Sequence, residues 1–470
     1  MPKQYRVKCH ETDSACRGTV KFNNSTFAVD GLLPGETATI ELVYGKDRKS
    51  NTAKLATLET TSPERREPFC AKFTRCGGCS LQYTSYENQL AMKQASAAKL
   101  LGGFGTVSDI IGMKSPFHYR HKIHASFCRT RRGMELGIYE ENTHKVVSVP
   151  DCAIQNQTAN QILHTIRRLA TEFHLPAYNE DTGKGLLRHV LIRCGYATRQ
   201  IMAVLVLGQS EFPGRSNFIR KLRAAHPEIT TIIQNINNKK TSMVLGEQET
   251  VLFGEGYIED ILCGLHFRIS PKSFYQVNPE QTEVLYRTAI DFAGLTGKET
   301  LLDAYCGTGT IGLIAAAKAA KVIGVESNAA AVRDARANAQ ANGMKNAEFV
   351  QADATEFIRD MVMGKDVDRN ANHPDIVILD PPRAGATQRF LRAVVTAAPR
   401  RVVYVSCNME TLARDLNVLV KGGYRAERIQ PVDLFPWTGH VETVVMLSHK
   451  NRRCNQRKSQ VWRGREQSAT

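Results

Sequence analysis

In "VVYVSCNMET", residues 402–411, an apolar run ends at Ser406 and a thiol, Cys407, follows it just ahead of a helix-like stretch. In an open α/β sheet, ligands bind beyond the carboxyl ends of the strands. The strand before it reads "IVILDPPRAG", where two prolines stiffen the exit that presents Asp380 and Arg383. A thiolate at such a strand end can add to carbon 6 of a pyrimidine. The addition turns carbon 5 into an enolate nucleophile able to attack a methyl sulfonium. The carbon-5 proton must then be removed before sulfur can leave, so a general base is required. "WTGHVETVVML" offers Glu442, with His440 as its rival. An unperturbed thiol titrates at about 8.5 and is a few per cent thiolate at neutral pH, a fraction that a nearby positive charge would raise.

A methyl donor needs its own pocket. "LLDAYCGTGTIGL" places Asp303 at a strand end and Gly307 and Gly309 in a tight turn before a helix. The spacing is not that of a pyrophosphate cradle. "VIGVESN" puts Glu326 at the next strand end, where a carboxylate can accept ribose hydroxyls. "VQADA" puts Asp353 after a third strand, within reach of an adenine amino group. Acids at successive strand ends around a glycine turn suit an adenosyl ligand without phosphates. S-adenosylmethionine fits, with NAD the alternative.

A second group of chemically capable residues lies far upstream. "FCAKFTRCGGCSLQ" spaces Cys70, Cys76 and Cys79 as C-x5-C-x2-C, and "VPDCAIQ" adds Cys152. Four thiolates can hold zinc or a [4Fe–4S] cluster. Zinc sites more often use two C-x-x-C pairs, and one pair is present, which favours iron–sulfur. Its expected role is to staple the central part of the chain near its partner, with a redox role left open. "FHYRHKIHASFCRTRRG", 117–133, interleaves aromatics with Arg120, Lys122, Arg129, Arg131 and Arg132, a pattern in which rings stack on bases and cations meet phosphates.

These residues need elements to hold them. Residues 5–58 alternate apolar and polar between turn signals, predicting a small OB-like barrel over 1–60. A central α+β domain carrying the cysteines is expected over 61–264. From 265 to 450, strands alternate with helices, predicting a doubly wound, Rossmann-like sheet. The tail, 451–470, has six Lys or Arg against one acid and reads as a disordered basic segment available to RNA. The whole chain has 470 residues, 42 % hydrophobic and 23 % charged, with 62 Lys and Arg against 46 acids and a net charge of +16. Such an excess favours a polyanionic partner. The start, "MPKQYRV", lacks a signal peptide's apolar core, and "IMAVLVLG" at 201–208 is too short to span a bilayer. A cytoplasmic protein is expected, not bound to membrane and monomeric, whose twelve cysteines stay reduced.

Five motifs in order, "FYQVN" at 274–278, "DAYCGTGTIGL", "DPPRAG", "SCN" and "HVET", resemble the RNA uracil-C5 methyltransferase family. The resemblance implies Cys407 as nucleophile and Glu442 as base. It implies Gln276, Tyr305, Glu326 and Asp380 in the site for donor and base. One departure is Met409, where the family usually has Pro, which is expected to loosen the loop after the nucleophile. Another is His121, where Asn is usual. "AVDGLLPGETATIEL" resembles a TRAM domain, and the ribosomal-RNA branch is similar in carrying the cysteine cluster at Cys70, Cys76, Cys79 and Cys152. The activity so implied is S-adenosylmethionine-dependent formation of 5-methyluridine in 23S ribosomal RNA, on a single-stranded or loop uridine, because the base must leave its stack. Transfer RNA is the near alternative. Cytosine-C5 methylation fits less well, since its enzymes carry a second cysteine where this chain has "DPPRAG". A non-catalytic RNA-binding or redox protein on the same frame is the remaining alternative.

Overall fold

The computed structural model describes residues 4–44, 51–131, 133–140, 143–241, 243–363 and 373–450. Arg132 and the basic tail lie outside the described residues. At the front, β1 (Gln4–Lys8), β2 (Glu11–Thr12), β3 (Gly18–Phe22), β4 (Ser25–Val29), β5 (Thr37–Tyr44) and β6 (Asn51–Thr60) form one sheet in the order β1-β5-β6-β4-β3-β2. Alternation along these strands sends Val7, Val20, Phe27, Val29, Ala38 and Ile40 into a single core, so the sheet wraps on itself. The buried Glu36 closes this unit onto the following linker. It pairs with Arg65 at 2.5 Å and accepts the amides of Leu33 and Ser62.

Helix α1 (Tyr86–Leu101) starts at a Ser85 cap that accepts the Asn88 amide. The central sheet follows: β7 (Lys122–Thr130), β8 (Gly133–Tyr139), β9 (Val146–Ser148), α2 (Gln157–Glu172), β10 (Leu187–Cys194), β11 (Ile201–Leu207), α3 (Arg215–Ala225), β12 (Ile229–Ile236) and β13 (Gln248–Phe253). Its order is β13-β12-β11-β10-β7-β8-β9. The apolar runs of β10 and β11 are buried on both faces. Val190, Ile192, Ala203 and Leu205 pack under α2 and α3, while Leu191, Met202, Val204 and Val206 meet Ile258 and Ile269 on the other side. Those last two belong to a hairpin, β14 (Ile258–Leu262) and β15 (Leu265–Ile269), whose turn residues Cys263 and Gly264 both have positive φ. The hairpin also sends Leu262 and Phe267 into the next core, joining the two units.

The last unit comprises α4 (Pro279–Ala293), β16 (Thr300–Ala304), α5 (Thr310–Ala316), β17 (Lys321–Glu326), α6 (Ala329–Ala341), β18 (Ala347–Gln351), α7 (Ala354–Met363), β19 (Ile376–Leu379), α8 (Gln388–Ala397), β20 (Arg401–Ser406), α9 (Met409–Lys421), β21 (Tyr424–Val432) and β22 (Glu442–His449). The sheet order is β18-β17-β16-β19-β20-β22-β21. The first five strands are parallel and β22 runs antiparallel to β20 and β21. One face is covered by α4, α5 and α6, the other by α1, α7, α8 and α9. Strand order reverses between β16 and β19, the switch point at which such sheets open a crevice. Among the described residues, no helix is long and apolar enough to cross a membrane.

Candidate active site

The carboxyl edge of this sheet carries the predicted residues side by side. In spatial order, Asp353 follows β18, Glu326 ends β17, Tyr305 follows β16, Asp380 follows β19 and Cys407 follows β20. Of the residues expected at the methyl donor, Asp353, Glu326 and Tyr305 lie on one side of the switch point, and Asp380 lies with Cys407 on the other.

Cys407 is held by the turn around it. Asn408 caps α9 through Oδ1, which accepts the amides of Glu410 at 2.9 Å and Thr411 at 3.3 Å. Met409 is buried against the sheet. The substitution at 409 therefore does not loosen the loop as expected, because the cap and the packed thioether fix it. The "DPPRAG" loop docks on the same helix. The Arg383 carbonyl accepts from Asn408 Nδ2 at 3.4 Å and Thr411 Oγ1 at 3.2 Å. The buried Asp415 accepts the Ala386 amide at 2.8 Å and the Tyr404 hydroxyl at 2.7 Å. The loops bearing Asp380 and Cys407 are thus one unit.

Glu442 reaches the site across the sheet. Ser406 pairs with Thr443, so the next residue pair outward is Cys407 and Glu442. Glu442 is 3 % exposed, and burial followed by the Asp380 charge pushes its carboxyl up to about 8. Burial alone raises Asp380 to about 7. Cys407 is half-buried and is pushed up to about 11 by burial, then by Glu442 and Asp380. Arg383 opposes this without outweighing it. The expectation of a usable thiolate fraction is therefore corrected: two carboxyls and burial keep the thiol protonated. Arg383 donates from Nη2 to His440 Nε2 at 3.0 Å, which occupies the rival base. Burial and then the Arg383 charge hold His440 down at about 4, so it is neutral and an acceptor.

Gln276 joins the site through Tyr286, a buried phenol within electrostatic reach of Gln276, Thr310, Asp380 and Glu442. Periodicity within α4 marks Tyr286 as core and conceals this contact. Phe274, two residues before Gln276, is 62 % exposed. An exposed ring beside such a site can stack on a base. The sign of it in the sequence is an aromatic in a loop outside any apolar run.

On the donor side, Glu326 Oε2 accepts the Gly307 amide at 3.2 Å and Oε1 accepts the Asn328 amide at 2.8 Å. The Ser327 hydroxyl also donates to Oε1 at 3.1 Å, so of the carboxylate's roughly four lone-pair positions about one remains for a further hydroxyl donor. Gly307 has open space where a Cβ would stand, and both Gly307 and Gly309 have positive φ. Tyr305 has φ +64° and lays its ring on Phe390 at 5.3 Å. Asp353 is exposed and caps α7 by accepting the Thr355 and Glu356 amides. Asp303, noted in the sequence only as a strand end, is buried, accepts the Gly312 amide at 2.8 Å and is pushed up to about 8 by burial. It fixes the glycine turn to α5. A turn with room above it and a carboxylate with a free acceptor position fit an adenosyl group.

The four upstream cysteines are free thiols that come within electrostatic reach of one another. Burial first, and the neighbouring sulfurs after it, push Cys79 to about 12 and raise Cys76 and Cys152. Among the described residues, no group of three or more His, Cys, Asp or Glu closes to the spacing of a single ion site. A zinc ion would draw its sulfurs to about 2.3 Å. In the basic stretch, Arg129 and Arg131 are exposed, but His121, Tyr119 and Phe127 are buried and Lys122 is half-buried, so only its far end is a solvated basic face.

A doubly wound sheet with an acid-lined glycine turn beside a cysteine–glutamate pair defines the methyltransferase class. Residues 218–450 match the family model described as tRNA (uracil-5-)-methyltransferase. An uncharacterised RNA methyltransferase of Clostridium acetobutylicum is 40 % identical over 451 residues, covering 94 % of this chain and 96 % of its own. Another, of Halalkalibacterium halodurans, is 40 % identical over 439 residues, covering 92 % and 94 %. The solved tRNA (uracil-54, C5)-methyltransferase of Pyrococcus abyssi, in complex with S-adenosyl-L-homocysteine, superposes with a TM-score of 0.75 at 28 % identity, covering 94 % of this chain and all of that one. The chain belongs to the RNA uracil-C5 methyltransferase family.

Proposed function

We propose that this protein methylates carbon 5 of an unpaired uracil in 23S ribosomal RNA, using S-adenosylmethionine, with Cys407 as nucleophile and Glu442 as base. The adjacency of these two side chains across β20 and β22 carries the assignment. S-adenosylmethionine, when bound, supplies an electrophilic methyl group. Glu326, Asp353 and Tyr305 are assigned to hold it, and Gln276 and Asp380 to orient the base. Sulfur of Cys407 bonds to carbon 6 as its proton leaves to water, and the ring electrons shift toward the 4-carbonyl. Carbon 5 takes the methyl group as the 4-carbonyl re-forms, and the electrons of the broken bond stay with the donor's sulfur, which leaves as a thioether. Glu442, ionised, removes the carbon-5 proton, the double bond re-forms, and Cys407 departs as a thiolate.

The front sheet (1–60) is proposed as a TRAM-like RNA-binding barrel, the middle (61–264) as the cysteine-bearing domain and 265–450 as the catalytic domain of a cytoplasmic monomer. Cys70, Cys76, Cys79 and Cys152 are proposed to hold a [4Fe–4S] cluster, which would brace the loop between Phe69 and Gln82. Purified under anaerobic conditions, the protein should carry roughly four irons per chain and matching acid-labile sulfide; zinc in their place would overturn the cluster. Transfer RNA is the second reading, favoured by the full-length superposition on a tRNA enzyme, which leaves the front and cysteine-bearing units unable to single out ribosomal RNA. Mass mapping of modified nucleosides decides between them. In a strain lacking the protein, 5-methyluridine should vanish from a position in 23S RNA; loss from transfer RNA alone would reassign the substrate.

A further inference from the structure

Residues 433–441 have no regular structure, yet they lead directly into Glu442 and are tied down on several sides. Asp433, fully buried, pairs with Lys93 of α1 at 2.7 Å and accepts the Tyr86 hydroxyl at 2.7 Å. The Leu434 carbonyl accepts from Asn278 and the Pro436 carbonyl from the Tyr119 hydroxyl, both at 2.9 Å. At the centre stands Trp437, 6 % exposed and at φ +67°, a conformation that few non-glycine residues adopt. Its amide donates to Gln89 Oε1 at 2.9 Å and its indole N–H to the Pro116 carbonyl at 2.7 Å.

The remaining ties lead to the cysteines. The Trp437 carbonyl accepts the amides of Ser80 at 2.8 Å and Leu81 at 3.1 Å, and Ser80 directly follows Cys79. The indole packs edge-on to Phe69 at 4.9 Å, and Phe69 directly precedes Cys70. Trp437, Met113, Tyr119 and Ile154 form an apolar cluster against which Cys79 and Cys152 pack. Between Trp437 and Glu442 the chain has little slack. Thr438 Oγ1 donates to Phe435 O at 2.8 Å and accepts the His440 amide at 3.3 Å. Gly439 lies so close to the front sheet unit that a Cβ there would stand 2.0 Å from the Ala15 carbonyl oxygen.

We propose that Trp437 is a positioning residue through which the cysteine-bearing loop sets the start of β22 and so aims Glu442 at the substrate. The assignment of Glu442 as base underlies this. A change in what the four cysteines hold then reaches the base through Ser80, Leu81 and Trp437, and proton removal is the step that suffers.

The test compares full-length wild type, Trp437→Ala, Trp437→Phe, Cys79→Ser and Glu442→Gln on total RNA from a strain lacking the protein. Thermal melting and RNA binding report folding, and a denaturing gel reports the protein–RNA adduct. Trp437→Ala should bind RNA with KM near wild type, lose roughly 100-fold in kcat, the scale of a misplaced catalytic group, and accumulate adduct as Glu442→Gln does. Trp437→Phe keeps a ring but loses the indole donor and should fall between. Trp437 and Trp462 are the two tryptophans of the chain. In a Trp462→Phe background, Cys79→Ser should red-shift Trp437 emission and build up adduct while RNA binding is kept. Unchanged emission with adduct-free turnover overturns the coupling. So does loss of rate in the Trp437 variants without adduct while Glu442→Gln shows it. Adduct in none of them, Glu442→Gln included, removes the base assignment and the coupling with it.

Discussion

Cys407 shares its surroundings with two carboxyls and one guanidinium, and burial, followed by the carboxyls, outweighs the guanidinium. The thiol, raised to about 11, stays protonated across the working range, while Glu442 titrates near 8. Glu442 can take the carbon-5 proton only when ionised, a form that gains ground as pH rises through about 8. Single-turnover release of methylated RNA from the adduct should therefore rise from about pH 6 to pH 9 with an apparent pKa near 8, shared with Asp380 because the two carboxyls interact. Glu442→Gln should abolish the rise and trap adduct. Cys407→Ala should abolish methyl transfer and adduct while RNA binding persists; full activity in it would sink the nucleophile. Phe274→Ala, which removes an exposed ring, should weaken RNA binding by about 1–3 kcal/mol, the value of one stacked base, as a gel-shift titration would read. The strand-end placement of Cys407 and Glu442, the proposed reactive pair, was legible in the sequence because each residue ends or begins an apolar run. The direction of the thiol's shift was not, since it depends on a cross-strand neighbour and on burial that linear order does not reveal.

At the scale of elements, the donor acids and the nucleophile are arranged by strand order. The alternation of strands and helices after 265 foretold the sheet, and the period-two pattern before 60 foretold the front strands. Two things were hidden. The basic stretch from 117 turns His121 inward, where its amide donates to the Val277 carbonyl and its ring meets Tyr196 edge-on at 5.4 Å. The docking of the "DPPRAG" loop on α9 depends on Asp415, which in sequence is one more polar residue of an amphipathic helix. Asp415→Ala leaves the buried Tyr404 hydroxyl without its acceptor and the Ala386 amide with the Tyr404 oxygen alone, at 3.2 Å. The expected cost is about 1–3 kcal/mol for the hydroxyl so stranded, seen as a lower denaturation midpoint. Methylation should fall further than RNA binding, because the loop bearing Asp380 loosens while the basic surface is untouched.

Across the whole molecule, three units meet around one buried ion pair. Lys93 and Asp433 are both fully buried and 2.7 Å apart, α1 supplying the cation and the segment before Glu442 the anion. Nothing in the sequence links positions so far apart; the pairing exists because α1 covers the catalytic sheet. Two opposite charges out of water are costly singly and nearly neutral together. Lys93→Met alone strands the Asp433 carboxylate, leaving it the Tyr86 hydroxyl, and should cost about 3–5 kcal/mol. Lys93→Met combined with Asp433→Leu removes both charges and should recover much of that loss, although it also frees the Tyr86 hydroxyl. Urea denaturation of the two singles and the double closes the cycle. A double variant no more stable than Lys93→Met would mean the charge itself is not the cost. The same double variant separates stability from catalysis: with the fold restored but the tie between α1 and residues 433–441 gone, Glu442 loses one of its supports, and turnover should stay below wild type.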